Sequence, residues 1–258
     1  MQITRSDTVG AYRVLHAADP EGPAPVAGQF AMLQSVERWG GGEDERPYLP
    51  RAFSYARFAG SEAQFLLEDV GPGTNRLDEL TVGDEMWLLG PLGVGFSAPA
   101  DGQRALLVGG GVGIAPLVIW QDTLLEQGTQ ALALLGFRDR ARAQAAELLR
   151  DARVASDDGS VGHHGLVLDL LQRELDQDAH AVVYACGPAA MLEAVRAECE
   201  RRKLPAQLAL ESGMACGFGA CFGCVVPSRD GYLRVCVDGP VIDAARLERV
   251  DQHAGASP

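Results

Sequence analysis

The sequence is short of positive charge: 22 Lys and Arg stand against 35 Asp and Glu in 258 residues, a net charge of −13. Binding to nucleic acid needs a basic surface, so that class of partner is excluded. A long apolar run is also missing. The longest, Ala105 to Trp120, is too short to span a bilayer and is broken by four glycines and a proline, so no membrane span is expected. The first residues, Met1-Gln2-Ile3-Thr4-Arg5-Ser6-Asp7, lack the apolar stretch of a leader peptide, and a cytoplasmic location is expected. In that compartment the six cysteines are expected reduced or metal-bound rather than paired. Glycine, in contrast, is plentiful at 31 residues, which points to tight turns and phosphate-cradling loops.

The pattern along the chain changes twice. Up to about Ala100 the apolar runs are short and bounded by turn residues: Gln29 to Leu33, Ala52 to Ala56, Ala63 to Leu67 and Glu85 to Leu89, with one helical piece near Asn75 to Leu80. Many short strands without long helices predict a small antiparallel β-barrel. From Arg104 onward, strands alternate with helices. Ala105 to Val108, Ala131 to Leu135 and Ala181 to Ala185 read as strands. Pro116 to Glu126, Arg142 to Arg150, Val167 to Leu175 and Ala189 to Arg202 read as helices. That alternation predicts a doubly wound parallel sheet. After Glu211 the periodicity stops, and the segment looks too short to bury a core of its own, so metal is expected to hold it. The fold class is mixed β and α/β, divided as 1–100, 101–211 and 212–258, with 253–258 as a frayed tail.

Four cysteines crowd into the last segment. Cys216, Cys221, Cys224 and Cys236 are spaced C-x4-C-x2-C-x11-C, and the first three match the plant-type [2Fe–2S] arrangement. Glycines between them suit a loop that wraps tightly and turns amide N–H groups towards negatively charged sulfur. Structural zinc normally uses two closely spaced ligand pairs, and here only Cys221 and Cys224 form one. Cys199 lies on a helix and reads as a packing residue.

Two glycine loops follow apolar strands. Gly109-Gly110-Gly111-Val112-Gly113 precedes a helix, an arrangement in which backbone and helix N-terminus can receive a pyrophosphate, although a plain tight turn has the same letters. Ala185-Cys186-Gly187-Pro188 has the same layout, and both loops are expected to border one crevice. Cys186 either touches a nicotinamide ring there or is a buried turn thiol. In the barrel half, Arg51 and Ser54 read either as a diphosphate-binding cation and a flavin-bonding hydroxyl or as surface residues. Gly71-Pro72-Gly73-Thr74 is a turn or an amide nest. Arg138 and Arg140, after the second sheet strand, either meet a 2′-phosphate or are solvated charges.

Taken in order, these motifs resemble the ferredoxin–NADP reductase superfamily and, within it, the electron-transfer subunits of class 1B dihydroorotate dehydrogenase. The sharpest carriers are Glu211-Ser212-Gly213-Met214-Ala215-Cys216-Gly217-Phe218-Gly219-Ala220-Cys221 and Val235-Cys236-Val237-Asp238-Gly239-Pro240-Val241. Pro91 to Phe96 and Leu135-Gly136-Phe137 add to it. The resemblance implies a barrel for FAD, with Arg51, Ala52, Phe53 and Ser54 on the flavin strand, Leu66, Leu67 and Glu68 on the next, and Gly73 and Thr74 at a phosphate turn. It implies NAD(H) at Gly110, Gly111, Gly113, Cys186, Gly187 and Pro188, and a [2Fe–2S] cluster on the four cysteines. Two positions depart from the family: Ala52 replaces its usual proline, and Val94 stands where asparagine is frequent. The implied partner is an FMN-containing dihydroorotate dehydrogenase catalytic subunit, in a heterotetramer. A reductase subunit of a hydrogenase or ferredoxin-linked complex would carry the same cofactors, and a redox-responsive binding module would have lost the flavin site.

Overall fold

The computed structural model describes residues 1–40 and 47–250; the expected tail at 253–258 lies outside the described residues. The first half is built from β1 (Gln2–Val9), β2 (Tyr12–Ala18), β3 (Phe30–Ser35), β4 (Arg51–Ala59), β5 (Glu62–Leu67), helix α1 (Pro72–Asp78) and β6 (Met86–Leu92). The strands form one antiparallel sheet in the order β1-β2-β5-β4-β3-β6. It closes on itself: Gln2 bridges Glu85, the Ile3 amide donates to the Asp84 carbonyl at 2.8 Å and the Met86 amide to the Met1 carbonyl at 2.9 Å. Closure removes the free edges that an open sheet would expose.

Alternation along the strands explains their apolar composition. Leu15 and Ala17 of β2, with Ala63, Phe65 and Leu67 of β5, fill the barrel. Tyr12, Val14 and Leu66, on the opposite faces of the same strands, enter a second core shared with the neighbouring sheet. Successive side chains of a strand point to opposite faces, so a strand covered on both faces needs apolar residues at nearly every position. The first hairpin, β1–β2, is absent from the sequence reading, and the helical piece falls at Pro72–Asp78 rather than Asn75 to Leu80.

The second half contains β7 (Arg104–Gly110), α2 (Ala115–Glu126), β8 (Ala131–Phe137), α3 (Arg140–Ala143), β9 (Arg153–Ser156), β10 (His163–His164), α4 (Val167–Gln177), β11 (Ala181–Cys186), α5 (Ala189–Arg202) and β12 (Ala206–Ala209). These strands run parallel, in the order β10-β9-β8-β7-β11-β12. The chain winds outward from β7 through β8 and β9, then returns to place β11 on the other side of β7. The direction of winding reverses between β7 and β11, where a doubly wound sheet opens its ligand crevice.

The predicted helix from Arg142 to Arg150 is a correction. Only one α turn forms, followed by a 3₁₀ turn at Gln144–Leu148. Tertiary bonds override helix propensity here. Gln121 of α2 accepts from the Arg150 amide at 2.7 Å and donates to its carbonyl at 3.0 Å, and Arg57 of the barrel takes the Leu148 carbonyl at 2.7 Å.

The last segment comprises β13 (Val225–Ser228), β14 (Gly231–Arg234), the helical turn α6 (Val235–Asp238) and β15 (Val241–Asp243). β13 and β14 form a hairpin, and β15 pairs antiparallel with β12 at the edge of the large sheet. The Leu210 amide donates to the Pro240 carbonyl at 2.9 Å, so the chain leaves and rejoins the sheet at one place. Val226, Leu233, Val235, Ile242 and Leu247 share a core with α5 and β12. The expectation that only metal holds this segment is therefore corrected: it borrows the core of its neighbour.

Candidate functional site: two nucleotide cradles and a four-thiol loop

β4 carries the predicted flavin residues. Pairing between β4 and β5 stops at Tyr55 opposite Phe65, so the two strands part beside Ser54 and Phe53 on one side and Leu66 and Leu67 on the other. That parting leaves backbone groups of Leu66 and Leu67 open on the β4 side. Their side chains are 1% and 0% exposed, so it is their backbone that can meet a cofactor. Ala52 is exposed, and Phe53 and Ser54 are half-buried beside the opening.

Arg51 and Gly73 come together. A Cβ on Gly73 would lie 2.5 Å from Arg51 Nε, so only glycine lets the guanidinium lie flat on the turn. No carboxylate pairs with Arg51 among the described residues, and its guanidinium also faces the Trp39 ring at 6.0 Å. Thr74 pins the turn by accepting from the Val70 and Gly71 amides at 2.9 and 3.0 Å. Beside it lies an open cavity of about 570 Å³ lined by Asp69, Val70, Gly71, Pro72, Asn75 and Arg76. An arginine over a tight turn, with no carboxylate partner among the described residues, fits a diphosphate. Glu68 does not stand free: Arg142, across the junction between the sheets, donates to it at 2.9 Å.

The two glycine loops meet at the switch point. A Cβ on Gly113 would sit 2.6 Å from Gly187 Cα, and one on Gly110 would sit 2.9 Å from Pro188 Cδ. The carboxyl ends of β7 and β11 therefore interlock, as the shared-crevice reading expects. Cys186 is only 2% exposed, and burial, then the charge of Glu211, push its thiol well above the ordinary range. In this structure it is a packed thiol at the edge of the crevice, the second of its two readings. Glu211, at the end of the neighbouring strand, opens to solvent, yet the surrounding protein raises its carboxyl.

Sequence reasoning also missed the loop from Asp157 to Gly165 at the carboxyl end of β9. The Asp157 and Asp158 amides donate to the carbonyls of Phe137 and Arg138, at 3.0 and 3.2 Å, which laces this loop to the end of β8. The signal was available: three glycines within seven residues follow an apolar strand. Arg138 is exposed, whereas Arg140 is tied to the Ser160 carbonyl.

The four cysteines gather as two pairs. Cys224 and Cys236 sulfurs are 3.2 Å apart, both residues 2% exposed, while Cys216 bonds the more exposed Cys221. The amides of Phe218 and Cys221 hydrogen-bond the Cys216 sulfur and draw its thiol down to about 6. Burial and then the Cys224 thiol push Cys236 up to about 12. The loop reaches this shape through left-handed Gly217 and Gly219, at φ 79° and 87°. Among the described residues no three His, Cys, Asp or Glu side chains converge on a single-ion position. Two facing thiol pairs ringed by amides fit a two-iron cluster better than one zinc inside four sulfurs. The same loop rests on the barrel: a Cβ on Gly217 would lie 2.5 Å from Met32 Cγ, and Met32 pairs with Ala52 of the flavin strand.

Comparison with known proteins adds the lineage. Residues 211–248 match the family model for the iron–sulfur cluster binding domain of dihydroorotate dehydrogenase B, and 107–197 match an oxidoreductase NAD-binding domain. The dihydroorotate dehydrogenase B (NAD(+)) electron transfer subunit of Geobacillus kaustophilus is 41% identical over 213 residues, 78% of this chain and 80% of that one. The chain belongs to this electron transfer subunit family. Its Clostridium perfringens member is 31% identical over 226 residues, 86% of this chain and 87% of the relative. The fold recurs in an NADH-dependent reduced ferredoxin–NADP oxidoreductase, with TM-score 0.83 and 24% identity over 96% of this chain and 89% of the other. It recurs again in the ferredoxin reductase of carbazole 1,9a-dioxygenase, at TM-score 0.67 and 19% identity over 79% and 65%. Membership makes the chain an oxidoreductase subunit, one part of an assembly with a catalytic partner. No helix among the described residues is long and apolar enough to cross a membrane.

Proposed function

We propose that this chain is the electron transfer subunit of a dihydroorotate dehydrogenase B in pyrimidine biosynthesis, linking an FMN-containing catalytic subunit to NAD through a [2Fe–2S] cluster and FAD. The observation that carries the reading is the seat of the thiol loop on β3, against the strand that bears Arg51 and Ser54. When bound, FAD takes up two electrons together and releases them singly, and the cluster carries one at a time.

The chain's own residues then have separable tasks. Arg51 neutralises the FAD diphosphate, Gly73 admits it to the turn, and Thr74 holds that turn closed. Ser54 offers its hydroxyl to the flavin ring, and Leu66 and Leu67 contribute backbone groups. Gly110, Gly111 and Gly113 at the start of α2, with Gly187 and Pro188 at the start of α5, receive the nicotinamide nucleotide. Cys216 and Cys221 hold one iron, and Cys224 and Cys236 the other. Phe218 and Phe222, 59% and 63% exposed beside the thiols, form the face offered to the catalytic subunit. The division into 1–100, 101–211 and 212–258 follows these tasks. A heterotetramer and a cytoplasmic location complete the proposal.

The test is native purification of the tagged chain from its own cells. The expected result is a stoichiometric FMN protein in the eluate, NAD-dependent oxidation of dihydroorotate to orotate, and flavin and iron–sulfur absorbance. Recovery of a hydrogenase or a ferredoxin-linked complex instead would assign the chain to another assembly.

A further inference from the structure

Tyr12 opens β2 directly after the two-residue turn at Gly10 and Ala11. It belongs to the barrel, but its ring is only 2% exposed and lies in the core shared with the nucleotide-binding sheet. The turn before it reaches across as well, the Ala11 amide donating to the Ala141 carbonyl of α3 at 3.3 Å. Within this junction the Tyr12 hydroxyl has no hydrogen-bond partner among the described residues. Leaving a buried hydroxyl unpaired is costly, and native proteins keep few such groups without a use.

The direction of the hydroxyl suggests that use. A Cβ built on Gly111 would meet it at 3.8 Å and, its own loop aside, would meet no other heavy atom of the described residues within 4 Å. The hydroxyl therefore faces, across a small gap, the middle of the glycine loop that ends β7. The charges around it are Glu68, Arg142, Asp139 and Arg138. Arg142 is engaged by both carboxylates, with Nε to Glu68 at 2.9 Å and Nη1 to Asp139 at 2.7 Å, and Arg138 points to solvent. Burial keeps the phenol protonated, so at neutral pH it stands as an uncharged donor awaiting an acceptor.

We propose that Tyr12 is a nucleotide-positioning residue lent by the barrel, its O–H donating to a pyrophosphate oxygen seated on the Gly110–Gly113 loop. The proposal rests on the reading of that loop as the nicotinamide nucleotide site. The hydroxyl is closed to bulk water, so the bond forms as Gly111 yields to the incoming phosphate; Gly111 holds φ 56°, a conformation it can enter and leave without a Cβ penalty. A phosphate supplies acceptors only, which suits a donor that has no other partner. Occupancy of the nucleotide site would then tighten the junction between the two sheets.

The experiment compares wild-type chain, loaded with FAD and cluster, with the near-isosteric Tyr12→Phe, using ADP-ribose as the probe in calorimetric titration and thermal unfolding. The expected result has opposite signs in the two states. Without ligand, Tyr12→Phe unfolds at the same temperature as wild type or about 1–3 °C higher, because an unpaired buried hydroxyl is gone. With ADP-ribose, Kd rises about tenfold and the ligand-induced thermal shift shrinks to match. A variant that unfolds earlier without ligand but binds ADP-ribose as tightly as wild type overturns the proposal and makes the hydroxyl a structural one. Wild-type protein that ignores ADP-ribose overturns the nucleotide reading of the loop, and this proposal with it.

Discussion

At the scale of single residues, the chemistry divides into groups held ready and groups already spent. Arg51 lacks a carboxylate partner among the described residues, whereas Glu68 and Arg142 satisfy each other. Cys221 is exposed, so Cys221→Ser should leave the fold intact while abolishing the visible iron–sulfur absorbance. Iron content and far-UV circular dichroism on the same sample check both halves. Glu198 gives a pH prediction. Burial pushes its carboxyl up, but hydrogen bonds from Arg201, Arg202 and Gln172 outweigh it and bring the carboxyl down to about 2. A carboxyl lowered on folding stabilises the protein above its unfolded pKa and loses that contribution as pH falls through the folded value. Wild type should therefore lose stability steeply between pH 5 and 2 (about the interval spanned by the two pKa values). Glu198→Gln should flatten that limb and cost about 2 kcal/mol at neutral pH, as measured by urea unfolding across pH. The cysteine spacing and the glycine loops were legible because each is a local pattern with a local physical cause. Tyr12 was not, because what marks it is Gly111, far along the chain and beyond any local pattern.

At the scale of elements, legibility follows how far local preference agrees with packing. α5 appears at Ala189–Arg202, as read, because Pro188 starts it and its own apolar spacing faces the sheet. The stretch at 142–150 has equally good helix formers but is claimed by Gln121 and Arg57, which no window of local sequence contains. The β1–β2 hairpin escaped because Arg5, Asp7, Arg13 and His16 interrupt its apolar signal; Arg5 is exposed, Asp7 and Arg13 are half-buried, and the buried His16 lies between Asp7 and Glu62 at 3.1 and 2.9 Å. The interlock of the two glycine loops yields a further prediction. Gly113→Ala puts a methyl 2.6 Å from Gly187 Cα, a backbone atom that cannot swing aside. The variant should lose most NAD+ binding in calorimetric titration and unfold about 2–12 °C earlier (about 1–3 kcal/mol of overpacking). Retained affinity would show that the loops do not form the nucleotide floor.

At the scale of the molecule, the barrel and the parallel sheet are joined by one apolar core and by paired charges. Arg57 meets Asp122 at 2.8 Å, and Arg142 meets Glu68 at 2.9 Å. Such a junction fixes the strand proposed to hold the flavin relative to the proposed nucleotide crevice, as transfer between two bound ring systems requires. The aromatic face around the thiols makes a separate prediction. Phe222→Asp, at a residue 63% exposed, should leave the chain folded and loaded but weaken assembly with the catalytic subunit at least tenfold (about 1.4 kcal/mol or more), read by size-exclusion chromatography with light scattering. Overall organisation was legible from the switch between short strands and alternating strand and helix, whereas the sharing of cores between the parts was not, since two-sided burial looks the same in sequence as one thick core.

The return of β15 to the sheet gives the metal site an uncommon freedom. Moored where Leu210 meets Pro240, the sulfur-bearing stretch is a bight of chain rather than a loose end. Because that mooring is made of backbone pairing and shared apolar core, chelating the iron should leave the anchoring strands folded, and far-UV circular dichroism of the stripped chain checks it.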